Sequence, residues 1–368
     1  MNFFDTFDWQ RMLNANPARK YDIGEYYNIL CPTDDYPTFF GKYIKLPLLQ
    51  RLAGVGLLCG TDWTRLYRHR FYYSRLEHSV GTALIIWHFT HDKAQTLAGL
   101  FHDVSTPVFS HVSDFRRGDA LTQTATEATN AAILKNDDQL LNWLAQDGLS
   151  VTQIEDYHRY PVADNEIPQL SADRLEYMFP SGMALDGSWT MDEIRQCYMD
   201  LSVLKNENGE DELGFGTLTT AELYCERFCM IGHILQLNEN KLALQMLGQI
   251  MNLAEKEGLL SESDFMTLSE SQIIARLDAA SKDKSISPKL IRLYTTFRNM
   301  TQIEHTEEPL PEEDYFCVSL KVKQRYINPL VKSNGSVVRL YNLSPKALRI
   351  IDDFRLYSDT AYGCVKLI

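Results

Sequence analysis

Apolar residues recur at three- and four-residue spacing across residues 79–101, with Val80, Leu84 and Trp87 ahead of His91-Asp92 and Leu97, Leu100 and Phe101 behind it. That period belongs to amphipathic helices, and the polar pair marks a break between two of them. His78 stands at the head of the first helix and His102-Asp103 at the tail of the second. Neighbouring residues on a helix point about 100° apart. His102 and Asp103 can therefore grip one ion only where their helix runs past it and the helix carrying His78 completes the cage. Nitrogen and carboxylate donors suit a first-row divalent metal, and a fourth ligand has to come from farther along the chain. Taken singly, a His-Asp pair is more often a hydrogen-bonded or surface pair, and a lone His78 more often a satisfied polar residue of its helix.

Helical patterning dominates the rest of the chain. Residues 121–145 are rich in Ala and Leu, and 219–256 predict two long helices interrupted near Asn238–Asn240. Gly258 has the place of a helix cap, and Ser261-x-x-Asp264 that of a helix start. The polar stretches Lys205–Gly216 and Thr306–Asp314 predict linkers. After residue 314, Phe316, Val318, Leu320 and Val322 alternate with other residues, which favours a strand. Asn334-Gly335 signals a hairpin, and a short helix is expected from Ser344 to about Tyr357. The expected fold is all-α, mainly helical over residues 1–312, with a small β-containing C-terminal segment, 313–368, packed on it.

The 368 residues are 45% hydrophobic, ample for one large core. A net charge of -13 argues against a generic duplex-binding surface, because nonspecific nucleic-acid affinity comes from neutralising phosphates. A local Arg cluster can still hold a small anion on an acidic protein. The seven cysteines are odd in number and lack C-x-x-C spacing, so neither a zinc ribbon nor a redox dithiol is expected. Cys225 and Cys229 share a helix face and read as buried reduced thiols. The first residues lack the basic and apolar regions of a secretory signal. The apolar run at Ala83–Trp87 is far shorter than the roughly 20 residues of a membrane helix. A cytoplasmic protein with no membrane association is the expectation.

R-L-E-H-S-V-G at 75–81 resembles the R-F-E-H-S-x-G segment of HD-domain deoxynucleotide triphosphohydrolases, the branch of the dGTPases and the SAM-and-HD-domain dNTPases. A-G-L-F-H-D-V-S-T-P-V-F-S-H at 98–111 is similar to their A-x-L-x-H-D-x-G-H-x-P-F-S-H. S-A-D-R-L-E-Y-M at 171–178 resembles their D-[KR]-x-[DE]-Y motif, and L-L-Q-R-L-A-G-V-G-L-L at 48–58 the Q-R-L-R segment that opens the fold. Weaker similarity continues through residues 221–280 and K-x-R-Y-I-N-P-L at 323–330, so the likeness runs from about residue 40 to about 355.

The resemblance implies an HD domain holding one divalent ion (Mn, Fe, Ni, Co, Zn or Mg) on His78, His102, Asp103 and Asp173. It implies a phosphate contact at Arg75, where a guanidinium would brace a phosphoryl group bidentately. The alternative for Arg75 is a salt bridge to a neighbouring carboxylate. Arg174 and Tyr177 fall at family nucleotide contacts. Several family positions differ here. Thr106 stands for the second histidine of H-D-x-G-H, Thr126 for the histidine of a downstream His-Glu pair, Leu57 for the glutamine that reads the sugar hydroxyl, and Ser181 for an aspartate. His111, matching the last histidine of P-F-S-H, pairs at helical spacing with Asp114. That pair is the best general-acid unit in the sequence, or else a structural hydrogen bond. His69, His88, His91, His158, His233 and His305 carry no motif and read as ordinary histidines.

The expected activity is metal-dependent hydrolysis of a phosphoester or phosphoanhydride, with a nucleotide or another phosphorylated small molecule as partner and dNTPs among the candidates. One rival is a regulatory protein that binds a nucleotide without turning it over. Another is a different HD hydrolase, a nucleoside monophosphatase or a cyclic-dinucleotide phosphodiesterase, the latter disfavoured by the lack of a second histidine pair. Fold alone does not choose among them. Self-association into a homo-oligomer is a further expectation from the resemblance.

Overall fold

The structure, a computed structural model, describes residue 4 and residues 22–121, 129–283 and 285–368. Thr126 and part of the 121–145 stretch lie outside these residues. In chain order the helices are α1 (Ile23–Leu30), α2 (Phe40–Ile44), α3 (Pro47–Gln50), α4 (Arg75–Thr90), α5 (Lys93–Phe101), α6 (Val112–Arg116), α7 (Asn130–Lys135), α8 (Asp138–Gln146) and α9 (Ala172–Leu185). They continue with α10 (Met191–Met199), α11 (Leu218–Gln236), α12 (Asn238–Lys256), α13 (Glu262–Thr267), α14 (Glu270–Ala280), α15 (Pro288–Asn299), α16 (Leu340–Leu343) and α17 (Pro345–Leu356).

The helix ends follow from local chemistry. Ser74 and Glu77 form a reciprocal capping box at the head of α4. His91 closes that helix in the left-handed region at φ 49°, and Asp92 opens α5 by accepting from the Ala94 and Gln95 amides. These two caps make α4 and α5 an antiparallel pair, which brings His78 back alongside His102. The predicted interruption of 219–256 is the α11–α12 junction at Leu237, and Ser261 caps α13 as expected.

α9 packs against α4 and carries Pro180 in its interior. A proline there removes the amide that would bond the carbonyl four residues back. The orphaned Glu176 carbonyl is met instead by the Tyr26 hydroxyl of α1, 3.4 Å away. Buried residues from all parts of the described chain, Phe4 to Val365, join one hydrophobic cluster.

The fold is mainly helical, but its strands are not confined to the C-terminal segment. β1 (Leu201–Lys205) and β2 (Asp211–Phe215) form an antiparallel hairpin where a linker was expected. Leu213 and Phe215 are fully buried, while Asn206 organises the turn by accepting from the Asn208 and Glu210 amides. β2 then pairs in parallel with β5 (Leu330–Ser333), which pairs with β6 (Ser336–Arg339) through the expected Asn334-Gly335 turn, giving the order β1-β2-β5-β6. Both turn residues have positive φ, 50° and 79°, as a two-residue hairpin turn of this kind requires.

A second sheet, β3-β7-β4, is built from β3 (Glu304–Thr306), β4 (Tyr315–Val318) and β7 (Tyr362–Lys366). Cys317 lies opposite Cys364 in this ladder and the two form a disulfide. Cys225 and Cys229 are free, buried thiols, as expected. The strand predicted through Val322 stops at Val318, and the chain from 319 to 329 runs along α11 instead. The Gln236 amide donates to the Lys323 carbonyl at 3.1 Å and holds it there.

Candidate metal centre and its cavity

His78 lies one turn into α4, His102 and Asp103 directly follow α5, and Asp173 sits in the first turn of α9. The structure brings all four together. His78 Nε2 is 3.0 Å from Asp173 Oδ1 and 3.9 Å from Asp103 Oδ2. His102 Nε2 is 3.4 Å from Asp103 Oδ2 and 3.6 Å from Asp173 Oδ1. Metal–donor bonds of about 2.1 Å place neighbouring donors roughly 3.0–3.4 Å apart; two of these separations lie in that range and two, 3.6 and 3.9 Å, lie beyond it.

Both imidazoles are fixed in the ligating tautomer. His102 Nδ1 donates to the Gly99 carbonyl at 2.7 Å, and His78 Nδ1 donates to Glu176 Oε2 at 2.5 Å, leaving each Nε2 lone pair for the centre. Glu176 is fully buried and its other oxygen accepts from the hydroxyls of Tyr26, 3.0 Å away, and Tyr73, 2.5 Å away. Glu176 occupies the [DE] position of the D-[KR]-x-[DE]-Y motif. The motif was legible, but its acidic residue was not assigned a role.

The electrostatics suit a cation. Burial disfavours ionisation of Asp103, but the Arg75 guanidinium, with His102 and His78, outweighs it and holds the carboxyl well below its usual range. Asp173 is likewise lowered, against burial, by its hydrogen bond to His78. His78 itself is raised to about 10: burial opposes the charge, and Asp173 and Glu176 overcome it. Without a metal ion, a proton on His78 Nε2 offsets part of the carboxylate charge, and a metal ion would compete for that nitrogen.

Arg75 takes the salt-bridge alternative. Its Nη1 donates to Asp103 Oδ2 at 2.8 Å and its Nε to Ser110 Oγ at 3.0 Å. Thr106 donates to Asp103 Oδ1 at 2.8 Å and so serves as a brace. Arg51, from the Q-R-L segment, donates to the Val104 and Thr106 carbonyls, both at 2.8 Å, and fixes the turn after His102-Asp103.

Phe109 and Ser110 both adopt left-handed backbone, φ 61° and 52°. Such residues cost about 1–3 kcal/mol each and persist only where their surroundings hold them. Here Ser110 is tied to Arg75 and to the Gly56 carbonyl, and the turn delivers His111. His111 Nδ1 donates to the fully buried Asp114 at 2.9 Å. Burial pushes the His111 pKa down, and Arg325 and Arg75 add to the effect despite Asp114. Burial thus favours the neutral ring, whose Nε2 can accept a proton while Nδ1 stays bonded to Asp114.

The donor cluster opens into a cavity of about 400 Å³, within the range of small-molecule sites. Arg75, His111, Tyr177, Lys323 and Arg325 contribute to its polar lining, and Leu57, Leu185, Ile231, Ile234 and Leu244 to its apolar lining. The Tyr177 hydroxyl is buried without a hydrogen-bond partner among the described residues, and burial raises its pKa to about 12, so it remains a donor. Arg174 also lines the cavity, but its guanidinium is engaged by Asp164, Asn165 and the Gln169 carbonyl. Sequence reasoning missed Lys323 and Arg325, although they lie in the quoted K-x-R-Y-I-N-P-L stretch. It also missed His158, which lines the cavity hydrogen-bonded to Asp164 at 2.7 Å. No sequence signal marked His158.

No protein-family profile matches the chain. Over 128 residues, 35% of its length, it is 29% identical to the metal-dependent phosphohydrolase cns2 of Cordyceps militaris; the match takes in 36% of that protein, about a third of the curated relative's length. Among solved structures, a hypothetical protein from Aquifex aeolicus is similar with a TM-score of 0.61 and 17% identity, over 90% of this chain and 93% of that one. A phosphohydrolase from Bacteroides thetaiotaomicron is similar with a TM-score of 0.56 and 15% identity, over 96% and 97%. At these identities the two structures establish a shared fold alone. No helix among the described residues is long and apolar enough to cross a membrane.

Proposed function

We propose that this chain is a metal-dependent phosphohydrolase of the HD type, acting on a phosphoester or phosphoanhydride of the nucleotide class. The observation that carries this reading is the convergence of two tautomer-fixed histidines and two carboxylates on a cavity that also presents Arg75, Lys323 and Arg325. The partial identity to a protein described as a metal-dependent phosphohydrolase supports it.

His78, His102, Asp103 and Asp173 would hold a divalent ion, which would supply Lewis acidity toward a phosphoryl oxygen and a bound water. The chain's own residues do the remainder. Lys323 and Arg325 contribute positive charge for the phosphoryl oxygens, while Arg75 keeps Asp103 ionised. Tyr177 offers its hydroxyl to the bound ester. Neutral His111, oriented by Asp114, accepts the proton that attacking water sheds. The apolar lining receives the organic part of the substrate.

The common dNTPs are expected to be poor substrates. Leu57 presents no hydrogen bond to a sugar hydroxyl, and the Thr106 hydroxyl already serves Asp103. The same observation favours a second reading, a nucleotide-binding regulatory protein. One experiment separates them: phosphate release by Mn²⁺-loaded wild type and Asp103→Ala, across dNTPs, NTPs, monophosphates and cyclic dinucleotides. Release from at least one compound, abolished together with bound metal in Asp103→Ala, is the expected result. Tight nucleotide binding with no release across the panel would select the regulatory reading.

A further inference from the structure

His111 accounts for a proton acceptor, but cleavage of an unactivated phosphoester also requires a donor, because an alkoxide is a poor leaving group until it is protonated. A second histidine–aspartate pair lines the same cavity. His158 sits on a short 3₁₀ turn, Tyr157–Arg159, ahead of α9. Its Nδ1 is 2.7 Å from Asp164 Oδ2. Asp164 Oδ1 accepts from Arg174 Nη2 at 2.9 Å. Arg174, only 7% exposed, is fixed in turn by Asn165 Oδ1 at 2.5 Å and the Gln169 carbonyl at 2.6 Å.

Adjacent residues of α9 thus face two tasks: Asp173 belongs to the metal centre, and Arg174 anchors the carboxylate that orients His158. The ring of Tyr157 touches both His158 and a metal-centre histidine. Tyr157 lies 4.4 Å from the His158 ring and 4.9 Å from the His102 ring, centroid to centroid. The His158 and His111 pairs come from different segments that line the same cavity: Tyr157 links His158 to His102, and His111 follows the turn that Ser110 ties to Arg75.

We propose that His158, oriented by Asp164 and Arg174, is the proton donor to the leaving oxygen. This rests on the phosphohydrolase reading above. The water oxygen bonds to phosphorus as the bond from phosphorus to the leaving oxygen breaks. The bonding pair stays on the leaving oxygen, which takes its proton from His158 Nε2, Nδ1 being the nitrogen bonded to Asp164. His111 takes the proton released by water. His111 then passes that proton to solvent and His158 regains one, so the net change is the addition of one water. Asp164 and Arg174 are positioning residues, acting through His158.

The test compares phenyl phosphate with p-nitrophenyl phosphate, whose leaving oxygen needs little protonation, in Mn²⁺-loaded wild type, His158→Gln and Asp164→Asn. General acid help is typically worth about 10²–10⁴-fold, so His158→Gln is expected to lose that much kcat on phenyl phosphate and far less on p-nitrophenyl phosphate. Asp164→Asn should show the same selectivity at smaller size. Metal content and calorimetric binding of inorganic phosphate, both independent of turnover, should match wild type in His158→Gln. Equal loss on the two esters, or no loss on either, would overturn the assignment of His158 while leaving the phosphohydrolase reading intact. A wild type that cleaves neither ester nor any compound of the nucleotide panel would overturn both.

Discussion

Glu176 controls the metal centre without belonging to it. It holds His78 by Nδ1 and is itself held by two tyrosine hydroxyls. Partners of this kind typically contribute 10–100-fold in metal affinity, so Glu176→Gln is expected to weaken Mn²⁺ binding by about that factor, read by competition with a fluorescent chelator. Retention of full affinity would remove Glu176 from the site. The His78 pKa also sets a pH dependence. In the metal-free protein it is raised to about 10, above the unfolded value of about 6.5. The stability it contributes is complete below about pH 6.5 and is lost as pH rises through about 10. Metal must displace that proton, so apparent affinity should rise about ten-fold per pH unit through this window. Denaturant melts of metal-free protein across the window, beside metal titrations, should move in opposite directions. An affinity independent of pH would contradict a protonated His78.

At the scale of elements, the junction of α4 with α9 decides whether the donors meet. Gly81 marks the contact. A Cβ there would lie 2.4 Å from Glu176 Oε1 and 2.8 Å from its Cδ and Cγ. The carboxylate cannot move aside cheaply, because His78, Tyr26 and Tyr73 all hold it. Gly81→Ala should therefore cost about 1–3 kcal/mol by overpacking. Unlike an ordinary core strain, it should also lower metal affinity in the manner of Glu176→Gln. Thermal melts with and without Mn²⁺ check both parts, and a stability loss with normal metal affinity would confine Gly81 to packing. The two helices were legible one at a time. Apolar spacing marked α4 and α5, and polar residues at 91–92 supplied their caps. The pairing of α4 with α9 was not legible, because no local pattern says which distant helix meets which face.

Across the whole molecule, the C-terminal residues complete both the sheet and the cavity. β5 extends the β1–β2 hairpin, and Val322, Lys323 and Arg325 line the cavity. The buried Glu212 of β2 is paired by Arg339 of β6 at 2.6 and 2.9 Å. Stripping a partner from a buried charge costs roughly 3–5 kcal/mol. A chain ending at residue 312 is therefore expected to lose cooperative melting and metal binding, read by circular dichroism and metal analysis. A soluble, cooperatively melting, metal-binding fragment would instead make 313–368 a separable unit. The sequence by itself determined the helices with their caps, the Asn334-Gly335 hairpin and the types of donor at 78, 102, 103 and 173, because each depends on spacing and side-chain chemistry within a few residues. Tertiary structure alone decided that Lys205–Gly216 is a hairpin, that Arg75 pairs with Asp103, and that Glu176, His158 and Arg325 reach the site. Tyr26 and Glu176 are 150 residues apart, and Arg339 and Glu212 are 127 apart. A polar residue's role is set by the partner that meets it once buried, and at such separations only the folded chain determines which partner that is.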